Sequence, residues 1–269
     1  MSASITVGIP FFSGTISEQF QAAVDSILTQ SLPPDEVHLI QDGPVSEELS
    51  KLVESYIESF PRIKHLIVEH NSGLAHALNF SILNTTSKYY ARMDSDDIAH
   101  PQRLEKQVAF LYAHPDIDIL GSWSLEFEED PLTEKGFVRQ LPTESSEIES
   151  MFHYRNPFAH SAVVFRRSVF AKIGLYNINF LDEDLELWSR AFQKRIKTAN
   201  LAEVLLYYRC TGSIQRRTER RTERVLCHAK ARFQFNTWSI KLNVLKALSL
   251  LLKIMPYGVQ EWAYKNLRH

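Results

Sequence analysis

Cysteine is scarce in this sequence, and its scarcity restricts the kinds of protein that the chain can form. The 269 residues include two, Cys210 and Cys227, which are too few for a disulfide framework. They also lack the Cys-x-x-Cys spacing of zinc and redox motifs. The first residues contain no basic segment and no long apolar run, so we expect no signal peptide. These absences predict a protein of a reducing compartment, the cytoplasm.

Long uninterrupted apolar segments are also missing. None approaches the length of about 20 residues that a membrane-spanning helix needs. Hydrophobic residues make up 44% and charged residues 23% of the chain, a balance typical of folded globular proteins rather than disordered ones. A chain of this length can form one large α/β domain, or one domain with an appendage.

The first predicted strand, at residues 5–10, is not followed by a glycine-rich loop. It ends in Pro10-Phe11-Phe12-Ser13-Gly14, whereas a nucleotidyltransferase on a similar sheet would be expected to carry glycines with Arg or Lys here. A phosphatase of the Asp-x-Asp type would place its acidic pair after the first strand, and this chain has its pair after the fourth. The sequence therefore disfavours both enzyme classes.

The first half of the chain alternates apolar strand segments with helical segments. Strands are predicted at 5–10, 36–40, 64–68 and 89–93, and each is joined to the next by a helix with one apolar face. Short connections of this kind predict a parallel sheet covered by helices on both faces. Ligands bind at the carboxyl ends of such strands, which here carry Pro10 and Phe11, Asp42, Asn71 to Gly73, and Asp94 to Asp97.

The second half is predicted to continue the sheet. Strands are expected at 117–120, with 125–127 as an extension, and at 160–165 and 200–209. Helices are expected at 144–152, 168–173 and 183–195. This order keeps the chain within an α/β fold.

The most acidic of the strand ends contains three carboxylates within four positions, Asp94, Asp96 and Asp97. Carboxylates this close repel one another unless a cation lies among them. Hard oxygen ligands favour a divalent ion that also binds phosphate. The alternative is a solvated acidic turn ahead of a helix that has Pro101 in its first turn. Arg92, the nearest basic strand residue, is either a catalytic candidate or simply the partner of a carboxylate.

A second acidic cluster opens the helix predicted at 183–195 and consists of Asp182, Glu183, Asp184 and Glu186. Like charges at short range raise a carboxyl pKa toward the range in which the group can act as a general base. The alternative is that these acidic residues merely favour the positive end of a helix.

Charge is distributed unevenly along the chain. Residues 216–269 contain 12 Lys and Arg against 3 Asp and Glu, which leaves 18 against 29 for the rest. Within this basic segment, 238–255 is rich in Leu, Ile and Val but contains Lys241, Lys246 and Lys253, a pattern typical of a helix at a membrane surface. The alternative is a C-terminal helix packed on the domain. Nucleic-acid binding is not predicted, because no stacking or groove-reading motif accompanies the charge.

Taken in order, these features resemble the inverting family 2 glycosyltransferases, which have the nucleotide-sugar-binding GT-A fold. The resemblance is greatest to the amylovoran-type branch, bacterial enzymes that build exopolysaccharide and O-antigen repeat units. It implies an α/β fold with a mostly parallel sheet flanked by helices, plus an amphipathic C-terminal helical tail. It covers roughly residues 4–216, and its motifs are Gln-Asp-Gly-Pro around Asp42, Asn71-x-Gly-Leu-x-x-Ala-Leu-Asn79, Ala-Arg-Met-Asp-x-Asp-Asp-x-x-x-Pro around Asp94, and Glu-Asp-x-x-Leu-Trp around Asp184.

The resemblance implies a nucleotide-sugar site at the strand ends of the first half. Asp42 would contact the nucleobase, beside Pro10 and Phe11. Asp94 would contact the ribose side, and Asp96 would ligate Mn²⁺ or Mg²⁺ on the diphosphate, with Asp97 supporting the loop or the waters of the metal. Further nucleotide-sugar contacts are implied for Asn71, Gly73, Ser95 and Arg209, with Arg216 as another candidate for the diphosphate.

On the acceptor side, the resemblance implies that Asp184 is the general base, which takes the proton of the attacking hydroxyl. His160, Glu183 and Trp188 are further candidates, and Trp188 is either a flat surface for a sugar or a core residue. Many relatives carry a histidine metal ligand shortly after a Tyr-Arg pair. Here Tyr208-Arg209 is followed by Cys210-Thr211-Gly212-Ser213, so the third protein ligand stays open between water, His160 and another group.

The implied function is transfer of a hexose from a UDP-sugar, UDP-glucose or UDP-galactose, to a saccharide carried on polyprenyl diphosphate. The expected domains are a catalytic domain at 1–215, with a nucleotide-sugar half at about 1–122 and an acceptor half at 123–215, and a membrane-associating tail at 216–269. The enzyme would then lie at the inner face of the cell membrane. The alternative is a non-catalytic membrane-associated module that binds nucleotide sugars. The joint presence of Asp94, Asp96 and Asp184 argues against it.

Overall fold

A computed structural model of the chain describes residues 4–210 and 221–266, and its strands form a single sheet. The strands are β1 (Ile5–Phe12), β2 (Glu36–Asp42), β3 (Ile63–Val68), β4 (Tyr89–Arg92), β5 (Ile98–Ala99), β6 (Ile119–Phe127), β7 (Phe137–Arg139), β8 (Val164–Arg166) and β9 (Thr198–Arg209). Their order is β3-β2-β1-β4-β8-β6-β9-β5, and β7 pairs with β6. The predicted boundary at 215/216, Arg216 and the Thr211 to Ser213 segment lie outside the described residues.

Helices cover both faces of this sheet. They are α1 (Ser17–Leu28), α2 (Glu47–Ser59), α3 (Leu74–Leu83), α4 (Arg103–Ala113), α5 (Ser145–Phe152), α6 (Val169–Ile173), α7 (Glu183–Gln193), α8 (Arg221–Gln234), α9 (Ile240–Ile254) and α10 (Tyr257–Asn266). One apolar core lies between the sheet and α1, α2 and α4. The other lies between the opposite face and α3, α5, α6 and α7, and includes Ala231 of α8.

Most of the described strands run in the same direction. Parallel pairings join β1 to β2 and β4, β2 to β3, and β6 to β9. Only β5, β7 and β8 run opposite to these, and β8 connects the two parallel groups by pairing with β4 and β6. The prediction of a mostly parallel sheet flanked by helices is therefore confirmed. The carboxyl ends of β1, β2, β3 and β4 meet at one edge, as the sequence predicts.

Two local elements differ from the predictions. His160 begins a 3-10 turn (His160–Ala162) rather than a strand, and the strand starts at Val164. The turn is held by a distant residue, because Gln107 Nε2 donates to the carbonyl oxygen of Ala162 at 2.7 Å. Ile98 and Ala99 form the short β5 and pair with β9, where a direct entry into the next helix was expected. In both places a long-range contact decides the backbone conformation.

The C-terminal helices contact the rest of the protein through α8. Ser189 Oγ of α7 donates to the carbonyl oxygen of Ala231 at 2.8 Å. Phe235, directly after α8, stacks on His153 and touches Phe152 and Phe192. Of the described helices, none is both long enough and apolar enough to cross a membrane.

Gly43 should tolerate no side chain, and Gly73 in the neighbouring loop provides a matched comparison. Both glycines have positive φ angles, +83° and +89°, which L residues avoid. A Cβ on Gly43 would lie 2.7 Å from the backbone nitrogen of Asn71, whereas a Cβ on Gly73 would have no described atom within 4 Å. We expect Gly73→Ala to lower the free energy of unfolding by about 1 kcal/mol and Gly43→Ala by roughly twice that or more. If urea denaturation shows the same loss of unfolding free energy for both variants, the close approach of Gly43 to the backbone of Asn71 is contradicted.

Candidate active site

The loop after β3 is tied to the end of β2 by Asp42. One carboxylate oxygen accepts the N–H of Ser72 at 2.7 Å, and the other accepts the N–H of Gly73 at 2.8 Å. Gly73 caps the N-terminus of α3, where a negative charge is stabilised. The structure therefore brings Asp42, Asn71 and Gly73 together as predicted, and Asp42 shapes the loop that carries the other two.

Pro10 and Phe11 lie within β1, and the expected loop begins only after Phe12. Both residues are buried, and Phe11 packs on Phe20 with ring centroids 4.9 Å apart. Side chains alternate along a strand, so Phe12 is the residue that is exposed at the site edge, with 44% of its surface accessible. The side chain of Phe11 thus belongs to the core, and the predicted contact of this side chain with a nucleobase is corrected.

Three aspartates cluster in the turn after β4. One carboxylate oxygen each from Asp94, Asp96 and Asp97 lies within 4.8 Å of the other two, with Ser95 half-buried between them. Asp97 is fully buried, and burial together with the charges of Asp94 and Asp96 raises its pKa well above the usual range. Three crowded oxygen donors fit a hard divalent cation such as Mn²⁺ or Mg²⁺. His160, one of the candidates for a further metal ligand, is not part of this cluster in the described structure.

Arg92, the last residue of β4, is paired with this acidic turn. Its Nη1 donates to Asp94 Oδ2 at 2.6 Å, and its Nη2 donates to Asp94 Oδ1. Arg92 is 3% exposed. Burial disfavours its charge, but Asp94 and further acidic neighbours outweigh this effect and raise its pKa. Of the two predicted roles, the structure places Arg92 as the partner of a carboxylate.

Arg209, at the end of β9, holds the backbone of the same turn. Its Nε donates to the carbonyl oxygen of Asp96 at 2.9 Å, and its Nη1 donates to that of Glu129 at 3.1 Å. Its own N–H donates to Asp97 Oδ1 at 2.9 Å. The guanidinium lies over the Phe127 ring. The residue predicted to contact the diphosphate therefore fixes the position of Asp96 and Asp97.

The 3-10 turn connects the acidic turn to the acidic helix. Ser161 Oγ accepts the N–H of Asp94 at 2.8 Å, and Nδ1 of the adjacent His160 lies 3.7 Å from Glu183 Oε1. His160 Nε2 and the Tyr176 hydroxyl are 2.8 Å apart. His160 and Glu183, two of the predicted acceptor-side residues, are thus neighbours. The same 3-10 turn contacts Asp94 through Ser161.

Asp184 is held by two hydrogen bonds at the start of α7. Its Oδ2 accepts from Asn156 Nδ2 at 2.5 Å, and its Oδ1 accepts from the N–H of Leu185 at 2.8 Å. Burial and the charge of Asp182 raise the pKa of Asp184. Burial and the charge of Asp184 raise the pKa of Glu183 to about 8. A carboxyl group with an elevated pKa suits proton transfer near neutral pH.

Trp188 does not form a surface for a sugar. It is fully buried and packs between Phe158 and Phe165, with ring centroids 4.8 Å and 5.9 Å away. Its place one turn after Asp184, on the inward face of α7, explains this burial. The core alternative for Trp188 is therefore the correct one.

The sequence reasoning missed three groups that hold the predicted residues. Asn156 bonds Asp184, and Tyr176 bonds His160. Asn79 holds Tyr176 through both backbone groups, donating to its carbonyl oxygen at 2.8 Å and accepting its N–H at 2.9 Å. Asn79 belongs to a motif quoted above, so a polar residue in the middle of a mostly apolar helix gave a usable signal. Asn156 and Tyr176 lie in irregular segments that have no periodic pattern.

The fold and this constellation lead to the family. The family model described as "Glycosyl transferase family 2" matches residues 6–174, which include the Asp42 loop, the acidic turn and the 3-10 turn. The chain belongs to glycosyl transferase family 2. Asp184 and helices α7 to α10 lie beyond the matched segment.

Curated relatives of this glycosyltransferase match along most of its length. The amylovoran biosynthesis glycosyltransferase AmsE of Erwinia amylovora is 29% identical over 267 residues, 98% of each chain. The UDP-Gal:alpha-D-GlcNAc-diphosphoundecaprenol beta-1,3-galactosyltransferase of Escherichia coli is 30% identical over 249 residues, 91% of this chain and 89% of the relative. Both match through the segment that contains α7 and its acidic start.

A solved structure supports the same fold. The mannosyltransferase PcManGT from Pyrobaculum calidifontis, in complex with GDP-Man and Mn²⁺, superposes with a TM-score of 0.67 at 17% identity. The match covers 97% of this chain and 75% of that one. The GT-A fold predicted for this glycosyltransferase is confirmed.

His160 should remain neutral throughout the physiological pH range. Burial and the nearby charge of Arg92 lower its pKa well below the usual value, which is about 6.5. We expect its imidazole nitrogen signals, assigned with His160→Gln, to stay constant from about pH 8 to pH 5.5 in two-dimensional NMR. The same residue in urea-unfolded protein serves as the titrating control. A folded-state midpoint near 6.5 would contradict the described burial.

Proposed function

We propose that this glycosyltransferase moves glucose or galactose from a UDP-sugar to a saccharide carried on polyprenyl diphosphate, with inversion at the anomeric carbon. The reaction would serve bacterial surface-polysaccharide synthesis at the inner face of the cell membrane. Residues 1–215 form the catalytic domain in this proposal, with the donor half at about 1–122 and the acceptor half at 123–215. The basic tail at 216–269 associates with the membrane.

The observation that carries the proposal is the position of the 3-10 turn between two acidic groups. Ser161 contacts the backbone of Asp94, and His160 faces Glu183, the neighbour of Asp184. A carboxylate cluster suited to a diphosphate and a carboxylate suited to proton removal therefore lie on either side of a single turn. Direct displacement needs this arrangement, because the leaving group and the base must act on opposite sides of the sugar carbon.

In the proposed reaction, Asp184 accepts the proton of the acceptor hydroxyl. The hydroxyl oxygen forms a bond to the anomeric carbon as the bond from that carbon to the UDP oxygen breaks, so the configuration inverts. Asn156 keeps Asp184 oriented. Glu183, whose raised pKa keeps it largely protonated at neutral pH, can donate a hydrogen bond to a sugar oxygen.

The donor side requires positive charge near the diphosphate. Asp96, with Asp94 and Asp97 beside it, would hold Mn²⁺ or Mg²⁺, and such a cation stabilises the negative charge of the departing diphosphate. Arg209 fixes the backbone of Asp96. Asp42, the loop at Asn71 and Gly73, and the exposed Phe12 border the space proposed for the nucleoside.

The substrates are proposed from the relatives. One is named for amylovoran biosynthesis, and another for transfer from UDP-Gal to a GlcNAc-diphosphoundecaprenol. A lipid-linked, anionic acceptor is also compatible with a basic tail. Together these observations support UDP-sugar as donor and polyprenyl-diphosphate saccharide as acceptor for this chain.

The exposed face of α9 supports membrane contact. Ile240, Val244, Leu248 and Leu251 are exposed and recur at intervals of three and four residues, so they share one side of the helix. Trp238 precedes them and is fully exposed. An apolar stripe with flanking lysines suits the boundary between lipid headgroups and acyl chains.

Release of UDP from a panel of UDP-sugars tests the donor, the metal and the base together. With Mn²⁺ and a lipid-linked acceptor, we expect one sugar to react and EDTA or Asp96→Ala to abolish the reaction. Asp184→Asn should lower kcat by at least about 100-fold, the usual loss for a general base, while UDP binding by calorimetry stays unchanged. Inversion is read from the anomeric configuration of the product by NMR.

Other outcomes of this assay would count against specific parts of the proposal. Activity that persists in EDTA would contradict the proposed metal dependence. An active Asp184→Asn enzyme would contradict the assignment of Asp184 as the general base. Binding of a UDP-sugar without turnover by any acceptor would instead favour the non-catalytic module.

The tail is tested by vesicle co-sedimentation. Leu248→Glu combined with Leu251→Glu should reduce binding to vesicles containing anionic lipid at least ~10-fold, because each buried leucine contributes about 1.5–3 kcal/mol. Leu132→Glu is the matched control, since Leu132 is 83% exposed in the loop between β6 and β7. Equal binding by both variants would place the membrane contact elsewhere or remove it.

A further inference from the structure

Helix α8 lies against the acidic start of α7. Arg224 Nη1 donates to Asp182 Oδ1 at 2.7 Å, and Nε2 of His228 lies 3.2 Å from Asp182 Oδ2. Two turns further along both helices, Ser189 donates to the carbonyl oxygen of Ala231. The two helices are therefore aligned by three polar contacts, and two of them involve Asp182, the residue immediately before α7.

Asp182 is closely coupled to the proposed base. It occupies the N-cap position of α7, and the next two residues are Glu183 and Asp184. Its side chain is 13% exposed, so water screens its charge only weakly. That charge raises the pKa of both Asp184 and Glu183. Any group that neutralises or moves Asp182 thus acts on the base.

Arg224 supplies the formal charge that compensates Asp182. Burial disfavours ionised Asp182, but the contacts with His228 and Arg224 outweigh burial and lower its pKa. His228 itself is neutral near pH 7, because burial lowers its pKa to about 4. The charged and titratable groups that act on this cluster come from several elements: Arg224, His228 and Arg232 of α8, Lys253 of α9, Glu183 and Asp184 of α7, Arg92 of β4, and His160 and Tyr176 near Glu183.

We propose that Arg224 and His228 are positioning residues for glycosyl transfer: from α8 they fix Asp182 at the start of α7 and so hold Asp184 in the orientation and charge state in which it accepts a proton. The inference rests on the role of Asp184 proposed above. Helix α8, in the basic tail that the sequence predicts to be a separate membrane segment, then supports the catalytic centre from outside it.

Kinetics of charge-removing variants test the inference, with the donor and acceptor that the wild-type enzyme uses. Arg224→Met should lower kcat about 10-fold with the KM for the UDP-sugar unchanged, and Arg224→Lys should recover most of the activity. Lys194→Met removes one charge from the exposed residue that follows α7 at its other end and should have no effect. In an Asp182→Asn background, Arg224→Met should cause little further loss, because the two residues act as a pair.

A measurement without substrate separates this inference from the proposed function. Carboxyl carbon NMR of the folded protein, assigned with Asp182→Asn and Asp184→Asn, should show the cluster binding a proton at higher pH, by about one pH unit, in Arg224→Met than in wild type. Should Arg224→Met not fold, Arg224→Lys and His228→Gln, which keep polar groups at both places, are compared instead.

Two results would overturn the inference. One is an Arg224→Met enzyme whose kcat and carboxyl titration match those of Lys194→Met. The other is a full additive loss of kcat when Arg224→Met and Asp182→Asn are combined. If the wild-type enzyme transfers no sugar, but Arg224→Met still shifts the carboxyl titration as expected, the result counts against the proposed function alone.

Discussion

The buried positive charge of Arg92 is the constraint on which the active centre depends. A guanidinium with 3% exposure is costly to bury unless carboxylates lie beside it. Asp94 provides the direct partner, with two parallel hydrogen bonds, and Asp97 and Glu183 favour the charged arginine whenever they are ionised. Strand β4 can therefore end in arginine only because an acidic turn follows it and an acidic helix approaches from the second half of the chain.

A second layer of polar side chains holds the backbone of the loops around this charge. Asp42 fastens the loop before α3, Arg209 fastens the acidic turn, and Asn79 fastens the segment at Tyr176. Each bond joins parts of the chain that are far apart in sequence. Leaving such a backbone group unpaired costs about 1–3 kcal/mol, so these residues are needed for the shape of the site whatever they contact in the bound state. A carboxylate has more lone pairs than the two that Asp42 uses here, so Asp42 can hold the loop and still accept a further hydrogen bond.

How much of the site could be predicted from the sequence depends on whether a residue signals its role locally. Asp42, Asp94 to Asp97 and Asp184 follow strands or open helices, so the periodic pattern places them correctly. Phe11 was misplaced because a short apolar run does not show where the strand stops. The sequence predicts a strand at His160, because no nearby residue indicates that Gln107 donates a hydrogen bond to this turn. Tyr176 contacts His160, 16 residues away, and Arg224 contacts Asp182, 42 residues away, and no local pattern carries such information.

The tail shows why a basic apolar segment is difficult to interpret from sequence. A helix that packs on a domain normally buries apolar residues and exposes lysines. Helix α9 departs from this pattern, because its buried residue is a lysine. Lys246 donates to the carbonyl oxygen of Arg232 and to the side chain of Asn236. The apolar residues at 240, 244, 248 and 251 face away from the protein. Polar contacts thus attach α9 to α8, and α8 contacts the start of α7. A lipid surface that bound the exposed stripe would be connected, through two helices, to the residue that precedes Asp184.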